Sequence, residues 1–178
     1  MKKTRSVSSV IYSAVSTVLI CIMCVFVLFT FIFRAVTVDG NSMNPGLHNG
    51  DKIIISNFLY TPDYGDIIVI NREVGEDKAI IKRVVALGGD EINIDFTTHL
   101  ITVNGKVITE KYQVTEPISH KGDFEFPLQV PEGCVFVLGD NRNDSRDSRF
   151  ADVGFIALDE ISGRAIGRIS PLGQFSIK

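Results

Sequence analysis

Residues 6–33 carry no charged side chain, and residues 10–33 are almost entirely apolar, whereas every later apolar run is short and closed by a turn. A helix over residues 10–33, at ~1.5 Å per residue, reaches ~36 Å, enough to cross a ~30 Å hydrocarbon core with some tilt. A cleavable secretory leader has a shorter apolar region, ~7–15 residues, and a small-residue cleavage site. The run here ends in Phe29-Thr30-Phe31-Ile32-Phe33, which does not fit such a site. The pattern therefore predicts a short N-terminus (1–9), a retained single-pass anchor (10–33) and an outer domain (34–178). Lys2, Lys3 and Arg5 precede the span and only Arg34 follows closely, which places the N-terminus on the cytoplasmic side and residues 34–178 outside.

Past residue 34 no long apolar period of 3.6 residues recurs. Short β-branched runs predict strands over 34–38, 51–56, 66–72, 79–86, 90–95, 99–103, 106–109, 134–138 and 163–169. Asn104-Gly105 between two of them is a hairpin signal, since both residues tolerate φ > 0. Residues 159–162 suit a single helical turn. Residues 110–132, interrupted by Pro117, Gly122, Pro127 and Pro131, read as a long loop or insertion. The fold class is mainly β: one transmembrane helix, then a mostly antiparallel domain with short connections.

Composition narrows the partners. All 21 acidic residues follow the span, against 15 of the 18 basic ones, so the outer domain carries −6 and does not suit nucleic acid. Cys21 and Cys24 lie inside the apolar span and read as small helix-packing residues, leaving Cys134 alone outside, with no intramolecular disulfide to form. The outer fold must be held by its own core.

Two positions carry chemistry. Ser42 sits in Gly40-Asn41-Ser42-Met43-Asn44-Pro45, a turn just past the span. Most serines in such turns bond nearby backbone. Gly40, however, leaves room for a substrate backbone, and the N–H of Ser42 suits an oxyanion. Lys82 lies within Ala79-Ile80-Ile81-Lys82-Arg83-Val84-Val85-Ala86. A lone lysine on an apolar strand face usually snorkels to the rim. If buried, its ammonium form is disfavoured, and a neutral amine is a suitable general base for a serine. The segment Gly139-Asp140-Asn141-Arg142-Asn143-Asp144-Ser145-Arg146-Asp147-Ser148-Arg149 reads in three ways. It is a solvated loop of mixed charge, a calcium loop with Arg142 and Ser145 at unsuitable positions, or a network in which Asp147 pairs with Arg149 or Arg83 while Ser145 bonds the amine. The residues alone leave these open. None of His48, His99 and His120 has a context that suggests a base.

Taken in order, these pieces resemble the bacterial type I signal peptidases, membrane-bound Ser-Lys proteases, in the single-anchor form of Gram-positive bacteria. The resemblance runs through the anchor, Ser42-Met43-Asn44-Pro45-Gly46-Leu47 with Gly50-Asp51, Tyr64-Gly65-Asp66-Ile67, and Lys82-Arg83-Val84-Val85-Ala86-Leu87-Gly88-Gly89-Asp90. Residues 139–149 with Gly154-Phe155 close it. It implies a β-rich catalytic domain of signal-peptidase, LexA-like type with an apolar membrane-facing surface. Ser42 would be the nucleophile and Lys82 the base. Ser145 would orient the lysine, Asp147 and Arg149 would form a structural salt bridge, and Arg83 would support the site. Gly40, Asn41 and Met43 would form the substrate and oxyanion region. No cofactor or metal is implied. The implied partners are the lipid bilayer and exported preproteins with signal peptides, bound as an added strand and cut after small residues at the first and third positions before the bond.

Three positions depart from the family pattern. Gly46 stands where Thr is usual, Gly40 where some members carry an oxyanion-donating Ser, and Gly88 where Pro is frequent. Two other readings remain beside it. A membrane-tethered assembly factor for exported or pilus proteins would bind without cutting, but the retained Ser42 and Lys82 speak against it. A self-cleaving regulator would need a sensor or DNA-binding domain, for which only five residues precede Ser6.

Overall fold

The computed structural model describes residues 7–75, 79–110, 112 and 114–171; Lys2, Lys3 and Arg5 lie outside them. The chain divides into two compact units, residues 1–34 and 35–178. In the first, helix α1 (Val7–Ile32) is long and apolar enough to cross a membrane. Two of its hydroxyls are satisfied within the helix: Thr17 Oγ1 donates to the Ser13 carbonyl and Thr30 Oγ1 to the Phe26 carbonyl. That is what an apolar solvent requires of polar groups. Phe33, expected to end the span, instead opens strand β1, where the β-branched Val36 and Thr37 set an extended backbone.

The strands are β1 (Phe33–Thr37), β2 (Lys52–Ser56), β3 (Ile67–Ile70), β4 (Ile80–Leu87), β5 (Glu91–Asp95), β6 (Leu100–Val103), β7 (Lys106–Val107), β8 (Leu128–Gln129), β9 (Cys134–Leu138), β10 (Ile156–Ala157) and β11 (Ile161–Ser170). Seven form one sheet in the order β1-β2-β11-β3-β4-β9-β10 and four form another in the order β7-β6-β5-β8. The pairs β2–β11, β11–β3, β3–β4, β4–β9 and β5–β6 are all antiparallel. Asn104 (φ 52°) and Gly105 (φ 73°) make the β6–β7 turn that the sequence foretells. Two strands escaped the sequence, β8 and β10, because two residues carry no period. The expected turn over 159–162 is a 3-10 turn at Leu158–Glu160, and Ile161 already belongs to β11. Apart from β8, the described residues of 110–132 form no helix or strand.

Both faces of β3 are buried, Ile68 and Ile70 in one cluster and Ile67 and Val69 in another. The second cluster holds Val38, Met43, Leu47, Ile53, Ile55 and Ala165, with Ile81 of β4 packed against it. The large sheet therefore curls around this core, and the turn that follows β1 arrives beside β4. Burial of each such aliphatic side chain contributes ~1.5–3 kcal/mol.

One turn design recurs at three corners. In Gly50-Asp51, Gly65-Asp66 and Gly89-Asp90 the glycine has φ of 84–86°, and the aspartate accepts the N–H of the residue three positions earlier: His48, Asp63 and Leu87. Each aspartate N–H returns a bond to that same residue's carbonyl. Each carboxylate also takes a side-chain donor from outside the turn: Arg168 to Asp51, Tyr60 to Asp66, Tyr64 to Asp90. Burial pushes the Tyr64 phenol up to about 12, with Asp90 reinforcing the shift, so it stays a donor. Burial would raise the Asp51 carboxyl as well, but the His48 N–H and the Arg168 guanidinium together hold it below the usual carboxylate range.

Candidate active site

The Ser42 turn is bolted in from below. Met43 and Leu47, each 1 % exposed, sink into the curled core, so their neighbour Ser42 is held half-buried at its surface. Met43 therefore contributes a backbone and an anchor, while its side chain faces the interior. Gly40 (φ 83°) is exposed with open space where a Cβ would lie, and its N–H donates to Asn49 Oδ1 at 3.1 Å.

Lys82 comes from the middle of β4, where Ile68 of β3 is its registered partner. It is 4 % exposed. Its Nζ lies 2.8 Å from Ser42 Oγ and 3.0 Å from the Ile81 carbonyl oxygen. Strand β9 pairs with β4 only from Arg83 onward, so Ile80–Lys82 lie outside that pairing.

Arg83 points to the other face of β4. It binds Asp140 through two bonds of 2.7 Å, Nε to Oδ1 and Nη2 to Oδ2, and donates Nη1 to the Gly65 carbonyl. Its guanidinium stacks 3.8 Å from the ring centroid of Tyr112. Burial, reinforced by the Glu110 charge, raises the Tyr112 phenol and keeps it neutral. Arg142 pairs with Glu110 in the same cluster. The partner of Asp147 is thus Arg149, and Arg83 is committed to Asp140, which the sequence did not single out.

Asp147 and Arg149 are fully buried. Arg149 Nε reaches Asp147 Oδ1 at 2.8 Å and Nη2 reaches Oδ2 at 2.9 Å, while the guanidinium also donates to the carbonyls of His120 and Arg142. Asp147 accepts the Gly139 N–H at 3.0 Å. Arg83 and Arg149 occupy the carboxylates of Asp140 and Asp147, so the ion-pair part of the network reading describes the segment, whereas the expected bond from Ser145 to the Lys82 amine is not formed. Ser145 is buried, and its Oγ has no hydrogen-bond partner among the described residues. It lies against Gly139, where a Cβ would clash with Ser145 and come 2.5 Å from the Ser42 carbonyl oxygen. Only glycine lets the 139–149 loop and the Ser42 turn approach this closely, a role that sequence reading did not assign.

The histidines are elsewhere: His48 is exposed, His99 Nδ1 meets the Ile118 carbonyl, and His120 packs edge-on to Phe150. Gly46 abuts the Arg83–Asp140 pair, with its would-be Cβ 2.7 Å from Asp140 Oδ2.

A serine and a buried lysine in contact, on a curled antiparallel sheet, define the class of arrangement found in serine hydrolases that lack a histidine base. Comparison with known proteins gives the family. The profile described as "Signal peptidase, peptidase S26" matches residues 11–169. Signal peptidase I P of Bacillus subtilis subsp. natto is 36 % identical, covering 83 % of each chain. Signal peptidase I of Bacillus caldolyticus is also 36 % identical, over 83 % of this chain and 85 % of its own. A solved signal peptidase I from Enterococcus faecalis V583 matches with a TM-score of 0.47 and 30 % identity, over 59 % of this chain and 97 % of that one. The chain belongs to the signal peptidase, peptidase S26, family. It is a type I signal peptidase, a serine hydrolase that cleaves signal peptides from preproteins.

Proposed function

We propose that this peptidase works by a Ser42–Lys82 dyad on preproteins presented at the outer face of a membrane in which α1 is the anchor, with the N-terminus cytoplasmic. The observation that carries this reading is the 2.8 Å contact between Ser42 Oγ and the Nζ of a lysine that is 4 % exposed. Burial disfavours the ammonium form, so a neutral amine is available beside the hydroxyl. As Oγ attacks the scissile carbonyl carbon, Lys82 Nζ takes the hydroxyl proton, and the carbonyl oxygen becomes an oxyanion held by the Ser42 N–H. On collapse the C–N bond breaks and the ammonium gives its proton to the departing amine, leaving an acyl ester on Ser42. Lys82, neutral again, takes a proton from water as the hydroxide adds to the ester, and returns it to Oγ when the product acid leaves.

The substrate segment lies extended in the seam between the Ser42 turn and the β9-facing edge of β4 near Ile80–Lys82. Backbone pairing there gives sequence-tolerant affinity, and small side chains fit at the first and third positions before the cut. Asp147 and Arg149 hold the 139–149 loop beside the Ser42 turn, Arg83 fastens β4 to that loop through Asp140, and Ser145 packs against Gly139 between them.

The test uses the full chain in detergent with a precursor bearing a small-x-small cleavage region. Ser42→Ala and Lys82→Met each lower kcat by ~10³-fold or more. Normal cleavage by both variants overturns the assignment.

A further inference from the structure

We propose that Asn141 is a positioning residue that fixes both peptide groups flanking the nucleophile, and that Thr115, from the long 110–132 segment, fixes Asn141. This rests on the reading of Ser42 as nucleophile and extends it to the device that aims the oxyanion donor.

The geometry is specific. The Asn41 carbonyl and the Ser42 N–H belong to one planar peptide, and the Ser42 carbonyl and the Met43 N–H belong to the next. Asn141 holds both. Its side-chain Nδ2 donates to the Asn41 oxygen at 3.2 Å, and its backbone N–H donates to the Ser42 oxygen at 3.0 Å. The two planes that meet at the Ser42 Cα are thereby tied to one residue of the support loop. The orientation of the first plane sets where the Ser42 N–H points. A bond accepted by the Asn41 carbonyl also polarises that N–H at the far end of the same amide. Gly40 brings no hydroxyl to the oxyanion, so the aim of this backbone donor decides more of the rate.

Asn141 is itself oriented. The Asn41 oxygen can only accept, so the amide must turn Nδ2 toward it and Oδ1 away. Oδ1 then receives Thr115 Oγ1 at 3.0 Å. Nδ2 also lies 3.5 Å from Asp144 Oδ2, and the Thr115 N–H donates to the Asp140 carbonyl at 3.2 Å. The 110–132 segment is fastened again further along: Asn143 Oδ1 accepts the N–H groups of Ser119 and His120, and Asp123 bonds residues 149 and 151. The segment is a brace, and Thr115 is its contact with Asn141 and, through it, with the Ser42 turn.

The experiment compares Asn141→Asp, Thr115→Val and Thr115→Ser in the full chain. Asn141→Asp keeps size, backbone N–H and Oδ1 but turns an oxygen toward the Asn41 carbonyl. The expected loss is ~10- to 100-fold in kcat, with KM changing less than ~3-fold. Thr115→Val loses ~3- to 10-fold in kcat, and Thr115→Ser, which restores the hydroxyl, recovers most of it. Thr115 is exposed, so its variants leave the core intact. A second readout separates aim from fold. The affinity of a peptide aldehyde, whose adduct on serine places an oxygen at the oxyanion position, falls in step with kcat. The affinity of an uncleavable peptide of the same sequence, and the midpoint of the pH profile, do not move. Unchanged kcat in Asn141→Asp and Thr115→Val overturns the proposal. So does a loss accompanied by equal weakening of the aldehyde and the uncleavable peptide, which would make Asn141 structural. Ser42→Ala in the same assay tells the two readings apart. If it still cleaves, the nucleophile reading falls and this one with it; if it is dead while Asn141→Asp keeps full kcat, only this inference falls.

Discussion

Lys82 and Arg83 are adjacent on one strand, both at or below 4 % exposure, and the sheet sends them to opposite faces with opposite tasks. Arg83 meets a carboxylate by two matched bonds and an aromatic ring, a setting that keeps a permanent cation in place. Lys82 meets a hydroxyl and a carbonyl oxygen at 2.8 and 3.0 Å, a setting in which an amine can exchange a proton. On the proposed mechanism the same burial yields a rivet on one side of β4 and a base on the other. What separates them is the chemistry of the nearest acceptor and whether the cation is able to lose its proton.

Exchanging the two cation types should produce the largest effects. Lys82→Arg places a group that does not deprotonate beside Ser42, so kcat falls ~10³-fold or more. Arg83→Lys leaves the Ser42–Lys82 contact alone. An ammonium fulfils neither the paired bonds to Asp140 nor the stack on Tyr112, so stability falls by ~1–3 kcal/mol while kcat stays within ~10-fold. Initial cleavage rates and thermal unfolding in detergent check both. An active Lys82→Arg protein would erase the contrast.

The contrast also shows what the chain discloses without coordinates. Ser42 and Lys82 are legible because a serine between glycine and proline, and a lysine inside an aliphatic strand, are each anomalous in their local pattern. The Asp147–Arg149 pair is legible only through resemblance, since spacing by itself offered Arg83 equally. Asp140 was missed because Gly139-Asp140 looks like the three Gly-Asp turns, yet its carboxylate leaves the turn and crosses to β4. Asn141 and Thr115 were missed for a different reason. Their roles depend on contacts across 100 and 26 positions of sequence, and no local periodicity encodes these. Strand existence was mostly readable from β-branched runs, whereas the two-residue strands β8 and β10 arise from pairing alone.

Acid should separate the two faces next. If Lys82 must be neutral, kcat/KM falls about tenfold per pH unit below the titration of that amine and levels off above it. Loss of fold does not imitate this over the same range. The Asp51 carboxyl, held below its ordinary value of 3.8, contributes stability that is fully present above that value and drains only as pH falls through the lowered one. The check is a pair of curves from ~pH 9 to ~pH 3, one of cleavage rate and one of thermal midpoint. The activity curve should fall well above the acid range in which the Asp51 contribution drains from the midpoint. Coincident curves would mean that the rate reports unfolding.

The smallest effect tests the rivet without touching the base. Gly46 leaves its Cβ position 2.7 Å from Asp140 Oδ2 and 3.7 Å from Arg83 Nη2, closer to the carboxylate than a real Cβ comes. Gly46→Ala therefore displaces the Asp140 carboxylate and lengthens at least one of its bonds to Arg83, and this overpacking costs ~1–3 kcal/mol. The nearest atoms to that Cβ belong to Asp140, Met43 and Arg83 and not to Ser42 or Lys82, so kcat should change less than ~3-fold at temperatures where the variant is folded. Thermal unfolding and cleavage of one precursor, measured on the same sample, decide it. A large drop in kcat with an unchanged midpoint would mean that the Arg83–Asp140 pair tunes the dyad electrostatically, and the two faces of β4 would then act as one site.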